Sequence, residues 1–541
     1  MAMNTVHDVF TATAARTPQA EFLFTESVTA KAYGIEAGPL HWGTAASESA
    51  RLRQAYAQAG WGHGHRVGLL LENRPAFLLH WLALNALGVS VVPINAEMRS
   101  AELIYLIGHS EIGLAVTLPE RAADLRAAAE QAKVPFATMG ADDPVPPAPN
   151  AAPRAGEPIG RASECALLYT SGTTGRPKGC MLSNDYFLRA GEWYSQLDGV
   201  CSIRPDTERV ITPLPLNHMN AMAFSTMVVL IAGGCLVQLD RFHPKSWLAS
   251  ARQSRATIVH YLGVMPAMLL SAAPSAADRD HAIRWGFGAG VDKKNHAPFE
   301  ERFSFPLVEA WAMTETGAGG CIMANREPRL VGSSCFGRQP EFLDMKLVDE
   351  EGREVGVDAP GELLVRTRGD NPRQHFFSGY LKDEAATQEA WADGWFHTGD
   401  LVRRDHDGNL FFVDRKKNVI RRSGENISAV EVESVLNQHP CVKTSAVAAT
   451  PDEVRGDEVL ACIVLREDVN NTNPQALAAS IVDHALAQLA YYKAPGYVAF
   501  VDALPLTPSQ KIQRGQLRDL ARELPGQGGC VDTRAMKKRQ A

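Results

Sequence analysis

The sequence predicts an α/β protein. Residues 1–414 are expected to form a large N-terminal domain of parallel-type sheets with flanking helices and a small β subdomain, and residues 415–541 a small α+β domain. Three observations carry this expectation. Apolar runs of strand length alternate with helix-length stretches from residue 66 to about residue 310. From Phe342 the texture changes to short alternating runs bounded by turn residues. The charged segment Arg415-Lys416-Lys417-Asn418 then introduces a stretch with strand and helix signals of its own. At 541 residues the chain also exceeds what one hydrophobic core usually organises.

In chain order, Val67 to Leu71, Pro75 to Leu87 and Val89 to Pro93 read as strand, helix, strand, the length of a βαβ crossover. Ile112 to Thr117 and the Ala- and Arg-rich stretch from Glu120 to Lys133 repeat the theme, and the proline-rich segment Asp143 to Pro158 is an extended connector. Further strands are expected at Cys165 to Thr170, Arg209 to Pro213, Thr257 to Leu262, Arg284 to Gly288 and Leu307 to Ala310. Helices fall at Lys245 to Ser254 and Asp292 to Arg302. The β subdomain takes Asp344 to Val348, Glu362 to Thr367 and Leu410 to Val413. After the charged boundary segment, Ser428 to Glu431 reads as a capping box. Strands follow near Thr444 to Ala449 and Val459 to Leu465, then a helix from Pro474 to Leu489. The end, 526–541, reads as a flexible tail with a solvated Lys537-Lys538-Arg539 cluster.

A net charge of −7 gives no electrostatic reason to expect nucleic acid or an anionic membrane as a partner. Nine cysteines scattered singly, with no C-x-x-C pair, predict reduced thiols and a cytoplasmic setting. The N-terminus lacks a basic region followed by an apolar core. The uncharged run Met219 to Leu239 is interrupted by polar residues and Gly233-Gly234, which predicts a buried helix, a turn and a strand in place of a membrane span.

The chemistry gathers around Tyr169 to Gly179. Hydroxyls at Thr170, Ser171, Thr173 and Thr174, glycines such as Gly172 and the cation Lys178 suit a loop that holds phosphates at a strand end. Only two residues separate Gly172 from Gly175, so it is not a Walker A loop. Four further segments stand out. In Trp311 to Gly317, Glu315 follows a strand and suits Mg²⁺. In Gly394 to Asp400, Asp400 follows a Thr-Gly turn and suits a ribose diol. Lys511 lies in a proline-framed loop, and His218 precedes an apolar run. Taken singly, each is as well explained by an ordinary loop acid, surface lysine or half-buried histidine.

Taken together, their order and wording resemble the adenylate-forming superfamily of acyl-CoA synthetases, nonribosomal adenylation domains and beetle luciferases, from about residue 40 to 515. The resemblance implies an AMP-forming acid–thiol ligase that uses ATP, Mg²⁺, coenzyme A and a small carboxylic acid. On it, Thr170, Ser171, Gly172, Thr173, Thr174 and Lys178 embrace the β- and γ-phosphates. Thr314 meets the α-phosphate and Glu315 the Mg²⁺. Trp311 and the Gly288-Ala289-Gly290 backbone frame the adenine, and Asp400 and Arg415 hold the ribose. Lys511 serves acyl-AMP formation. Rotation of a mobile C-terminal domain, 415–541, about a hinge at 415–417 centred on Lys417 then exchanges it for the segment containing Gly424 and Glu425, with His218 as a gate beside the thiol channel. Met222, Thr226, Tyr261, Val264, Ala289 and Ala318 form a mostly apolar set for the acyl group. Ala312 replaces the glycine usual after the aromatic, and the wording around Lys511 resembles crotonobetaine/carnitine-CoA ligases. The alternatives are an adenylation enzyme that loads a carrier protein, a kinase or NTPase, and a nucleotide-binding regulator.

Overall fold

Strand-length runs buried on both faces need partners on both edges and helices above and below, and the chain supplies these in two sheets. The computed structural model describes residues 3–170, 177–291, 293–349, 351–415, 420–427, 429–467, 469, 473–505, 512 and 514–538. One sheet of eight strands runs Ile322–Met323, Leu307–Trp311, Trp285–Ala289, Ile258–Leu262, Arg209–Thr212, Cys235–Gln238, Glu21–Thr25, Gly38–His41. Its inner strands are parallel and both edges antiparallel. A second sheet of seven holds the crossover predicted from the apolar runs, with Arg66–Leu70 parallel to Ser90–Pro93 across the helix Pro75–Asn85. A five-stranded antiparallel sheet, Cys335–Arg338, Asn409–Arg415, Phe396–Arg404, Gly361–Thr367, Leu343–Val348, forms the β subdomain.

The run from Met219 to Leu239 resolves as expected. A π-helical turn Asn220–Ser225 leads into the helix Thr226–Ala232, Gly233 ends it at φ 84°, and Cys235–Gln238 is a strand. Among the described residues no helix is long and apolar enough to cross a membrane.

The chain divides into two compact units, one of residues 1–96, 107–168 and 179–414, the other of 97–106, 169–178 and 415–541. In the second, Val442–Asp452 and Gly456–Leu465 pair antiparallel, and Tyr497–Phe500 lies parallel to the latter. The helices Ala429–Leu436 and Pro474–Gln488 contribute to its apolar core through Val432, Leu436, Ile481 and Val482.

Two expectations change, one falls outside the described residues, and the region before residue 66, which the sequence left unread, is ordered. There a helix Val6–Arg16 is capped by Thr5 and Asp8, and Phe10, Phe22 and Trp42 pack together with centroids 4.4–5.8 Å apart. The tail does not simply fray. Val531–Asp532 pairs with Tyr497–Phe500, and Lys537 is buried with its Nζ 2.5 Å from Glu458 Oε1, because Glu458 and Arg422 form a buried polar centre that the tail closes. Ser428 of the expected capping box lies outside the described residues; the Glu431 carboxylate meets Lys493 Nζ at 2.8 Å. The Thr398-Gly399 turn proves to be a bulge inside a continuous strand, described below.

The strand Leu307–Trp311 is pinned at its start. Glu300 Oε1 accepts from Leu307 N–H at 2.8 Å, and Arg329 holds Glu300 through contacts of 2.6 and 2.8 Å while also donating to Leu307 O. Burial raises the Glu300 carboxyl, but Arg329, His296 and the Leu307 N–H outweigh it and hold it at about 2. This group therefore contributes stability above the unfolded value near 4.5, on the order of 3 kcal/mol, and loses it as pH falls towards 2. Glu300→Gln should flatten the fall in stability between pH 4.5 and 2 in denaturant titrations; an unchanged acid slope would refute this role.

Candidate functional site

Trp311 ends its strand with the indole turned to the β subdomain: Nε1 donates to Asp400 Oδ2 at 2.9 Å, with Trp311 6% and Asp400 1% exposed. Asp400 reaches this place through a bulge in the strand Phe396–Arg404. Gly399 adopts φ 68°, the register against Gly361–Thr367 shifts there, and the two extra residues of the bulged strand re-aim the side chain that follows. Thr398 serves both sides of the bulge, donating Oγ1 to Leu363 O at 2.7 Å and accepting from Asp400 N–H at 3.0 Å. The Thr-Gly-Asp wording is thus a device for aiming one carboxylate.

Beyond Trp311 the chain turns tightly. Thr316 Oγ1 accepts from Met313 N–H at 3.0 Å, which leaves Thr314 half-buried and Glu315 8% exposed. Glu315 Oε1 accepts from the Tyr380 hydroxyl at 2.9 Å, and the Glu315 carbonyl accepts from Phe377 N–H at 2.8 Å. Burial and the Glu315 charge push the Tyr380 hydroxyl well above the usual phenol range, so it remains a donor. No signal in the sequence pointed to Tyr380, because its pairing arises 65 residues from Glu315, where Gly379–Tyr380 joins the strand Lys178–Ser183.

Gly288-Ala289-Gly290 emerges at the end of the strand Trp285–Ala289, with Ala289 half-buried and Gly290 exposed at φ 80°. Glycine is required at 288, since a Cβ there would stand 2.3 Å from Tyr261 O. Of the residues expected around the acyl group, Met222, Thr226, Tyr261 and Ala318 are buried. The Thr226 and Tyr261 hydroxyls are engaged inside the fold, on Ala221 O and on Val308 O and Glu309.

His218 is half-buried, and its carbonyl accepts from Met222 N–H at 3.1 Å as the π-helical turn begins. Another histidine was missed: His260, fully buried, meets Tyr194 Oη at 2.8 Å, Ser225 Oγ at 2.7 Å and Asn220 Oδ1 at 2.8 Å. Burial pushes it down to about 3, so this ring is a neutral brace at physiological pH.

Thr170 closes the strand Glu164–Thr170 and Lys178 opens Lys178–Ser183. Ser171, Gly172, Thr173 and Thr174 lie outside the described residues, as do Lys417 and Lys511. Arg415 closes the strand Asn409–Arg415. Gly424 and Glu425 belong to a hairpin in which Arg422 pairs with Glu425 across Ser423 and Gly424, both at positive φ of 50° and 88°. Two consecutive residues of this hand make the tight turn that matches strand twist.

The model of the AMP-binding enzyme family matches residues 10–381, and that of the AMP-binding enzyme C-terminal domain matches residues 431–511. The chain belongs to the AMP-binding enzymes. It is 32% identical over 487 residues to a sulfoacetate–CoA ligase of Cupriavidus necator, covering 88% of this chain and 92% of that protein. It is 29% identical over 486 residues to a crotonobetaine/carnitine–CoA ligase of Escherichia coli O157:H7, covering 86% and 91%. Among solved structures, an o-succinylbenzoate CoA synthetase double mutant from Bacillus subtilis aligns with TM-score 0.80 and 24% identity over 94% of this chain and 98% of that one. An amide bond synthetase from Marinactinospora thermotolerans aligns with TM-score 0.78 and 24% identity over 96% and 99%. The AMP-binding enzyme described here is thus a member of the AMP-forming acyl-CoA ligase family, the acid–thiol ligases that the motif order implied.

Proposed function

We propose that this enzyme activates a small carboxylic acid with ATP and passes the acyl group to coenzyme A. A carboxylate oxygen attacks the α-phosphorus, the bond to the β-phosphate bridge breaks, and pyrophosphate leaves. The coenzyme A thiol, giving up its proton, then attacks the acyl carbon, the C–O bond to the nucleotide breaks, and AMP leaves. The observation that carries the reading is the Trp311–Asp400 pair, which sets an aromatic residue and an acid side by side in a chain that matches both family models.

The roles follow the motifs. Thr170, Ser171, Gly172, Thr173, Thr174 and Lys178 hold the β- and γ-phosphates, and Thr314 the α-phosphate. Trp311 and Gly288 to Gly290 receive the adenine, while Asp400 and Arg415 receive the ribose. Glu315 fits Mg²⁺: one oriented carboxylate suits an ion that keeps several waters and takes its other ligands from substrate phosphates. Among the described residues no cluster of three or more metal-binding side chains competes with it. Bound there, the ion neutralises phosphate charge. Lys511 supplies the charge that stabilises the first transition state, and His218, Gly424 and Glu425 serve the second step after the C-terminal domain rotates about Lys417. Lys417→Pro, which fixes φ at the pivot, should slow thioester formation from supplied acyl-AMP more than it slows acyl-AMP formation. Unchanged thioester synthesis would refute the pivot.

The test is a panel of acids, including sulfoacetate, crotonobetaine, carnitine, straight-chain and aromatic acids, assayed for AMP and pyrophosphate release with coenzyme A. Thioester on free coenzyme A supports the proposal. Transfer only to a carrier protein would refute the acceptor, and release of ADP would refute the chemistry.

A further inference from the structure

Glu309 is a buried acid on the strand that ends in Trp311. It is 8% exposed, on the strand Leu307–Trp311, and no ion pair to it occurs among the described residues. A buried acid without a cation is costly and persists where hydrogen bonds to it secure something else. Here the bonds all come from one corner. Oε2 accepts from Gly290 N–H at 2.9 Å, while Oε1 accepts from Val291 N–H at 3.1 Å and from the Tyr261 hydroxyl at 3.0 Å. The Ala289 carbonyl is tied down as well, by Gly263 N–H at 3.0 Å. Gly263 permits that approach, since a Cβ there would stand 1.7 Å from Gly290 O. The turn after Gly288 is therefore fixed from beneath by side-chain and backbone bonds, and Gly290 is left exposed on the other side.

Side chains alternate along a strand, so Glu309 and Trp311 point to the same face, two residues apart. One strand thus carries the indole and the group that sets the height and tilt of the Gly288-Ala289-Gly290 backbone.

We infer that Glu309 is the positioning residue of the nucleoside-base site, holding the 288–291 turn at a fixed distance from Trp311 so that the base is read between them. This rests on the ATP-dependent reading above and adds a determinant of nucleotide affinity and base choice that touches no substrate itself. An amide at this position puts an N–H where a carboxylate oxygen accepts, so one of the two backbone bonds is lost and its donor is opposed.

The experiment compares wild type, Glu309→Gln and Tyr261→Phe by AMP titration calorimetry and by AMP release with ATP or GTP. Glu309→Gln should weaken AMP binding and raise the KM for ATP by about 10-fold, leave the KM for the acid within about 2-fold, and reduce preference for ATP over GTP. Tyr261→Phe, which removes one donor to the same carboxylate, should move these quantities in the same direction by about 3-fold, and it provides the reading if Glu309→Gln fails to fold. Unchanged AMP affinity and base preference in the folded variants would overturn the inference alone, as would equal losses for nucleotide and acid. A wild type that binds no AMP would overturn the functional reading and this inference with it.

Discussion

Lys511→Ala is expected to lower acyl-AMP formation by roughly 10²- to 10³-fold, the loss typical when one transition-state donor is removed. Thioester formation from supplied acyl-AMP should be largely spared. The reason is charge. The attacking carboxylate and the α-phosphate are both anions, and negative charge builds on the phosphoryl oxygens as the bond forms, so a cation at that point acts in the transition state more than in the ground state. In the second step a neutral thioester replaces a mixed anhydride, and the same cation has no comparable task. Measured separately by ATP–pyrophosphate exchange and by thioester release, the half-reactions should diverge in this variant; equal losses in both would contradict the division of labour.

Trp311→Phe carries the second large effect. Phenylalanine keeps an aromatic face but lacks the N–H that donates to Asp400 Oδ2 at 2.9 Å. A hydrogen bond to a charged group contributes about 1.5–3 kcal/mol, so the KM for ATP should rise roughly 10- to 100-fold if the ribose depends on this carboxylate's orientation. Asp400→Asn should weaken ATP by a similar amount. In the double variant the losses should fall well short of their sum, because each single change already breaks the same contact. Fully additive losses would show that the indole and the carboxylate act independently.

The parts legible in the sequence are those where local pattern and tertiary role agree. The crossover from Arg66–Leu70 to Ser90–Pro93 was legible because buried parallel strands are uniformly apolar. The run near Met219 was legible because Gly233 breaks it where the helix ends. Glu21–Thr25 and Gly38–His41 were not read, since Glu21 and Thr25 interrupt the first and the second lies partly exposed at the sheet edge, so neither shows the uniform apolar run of the other strands. The tail misled for a related reason: a Gly-rich, basic stretch looks solvated, and only Glu458, 79 residues away, gives Lys537 a buried partner. At the site, Trp311 was legible as the end of a strand with Glu315 just beyond it, whereas Asp400, read as following a turn, lies inside the strand Phe396–Arg404. Their supports were not legible. Tyr380 and Glu309 act through distances that only folding sets, and nothing in their immediate sequence distinguishes them from ordinary strand residues, while Thr398-Gly399 showed as a turn and not as a bulge within a strand.

The account's central claim is that the acid attacks the α-phosphorus of ATP and is later released from AMP by a thiol. The most direct measurement uses an acid from the panel carrying ¹⁸O in both carboxylate oxygens, with mass analysis of the products of complete turnover. One carboxylate oxygen forms the new bond to phosphorus and stays there when the thiol breaks the carbon–oxygen bond, so the AMP should carry one ¹⁸O and the thioester the other. Unlabelled AMP, or label in inorganic phosphate alongside ADP, would contradict it.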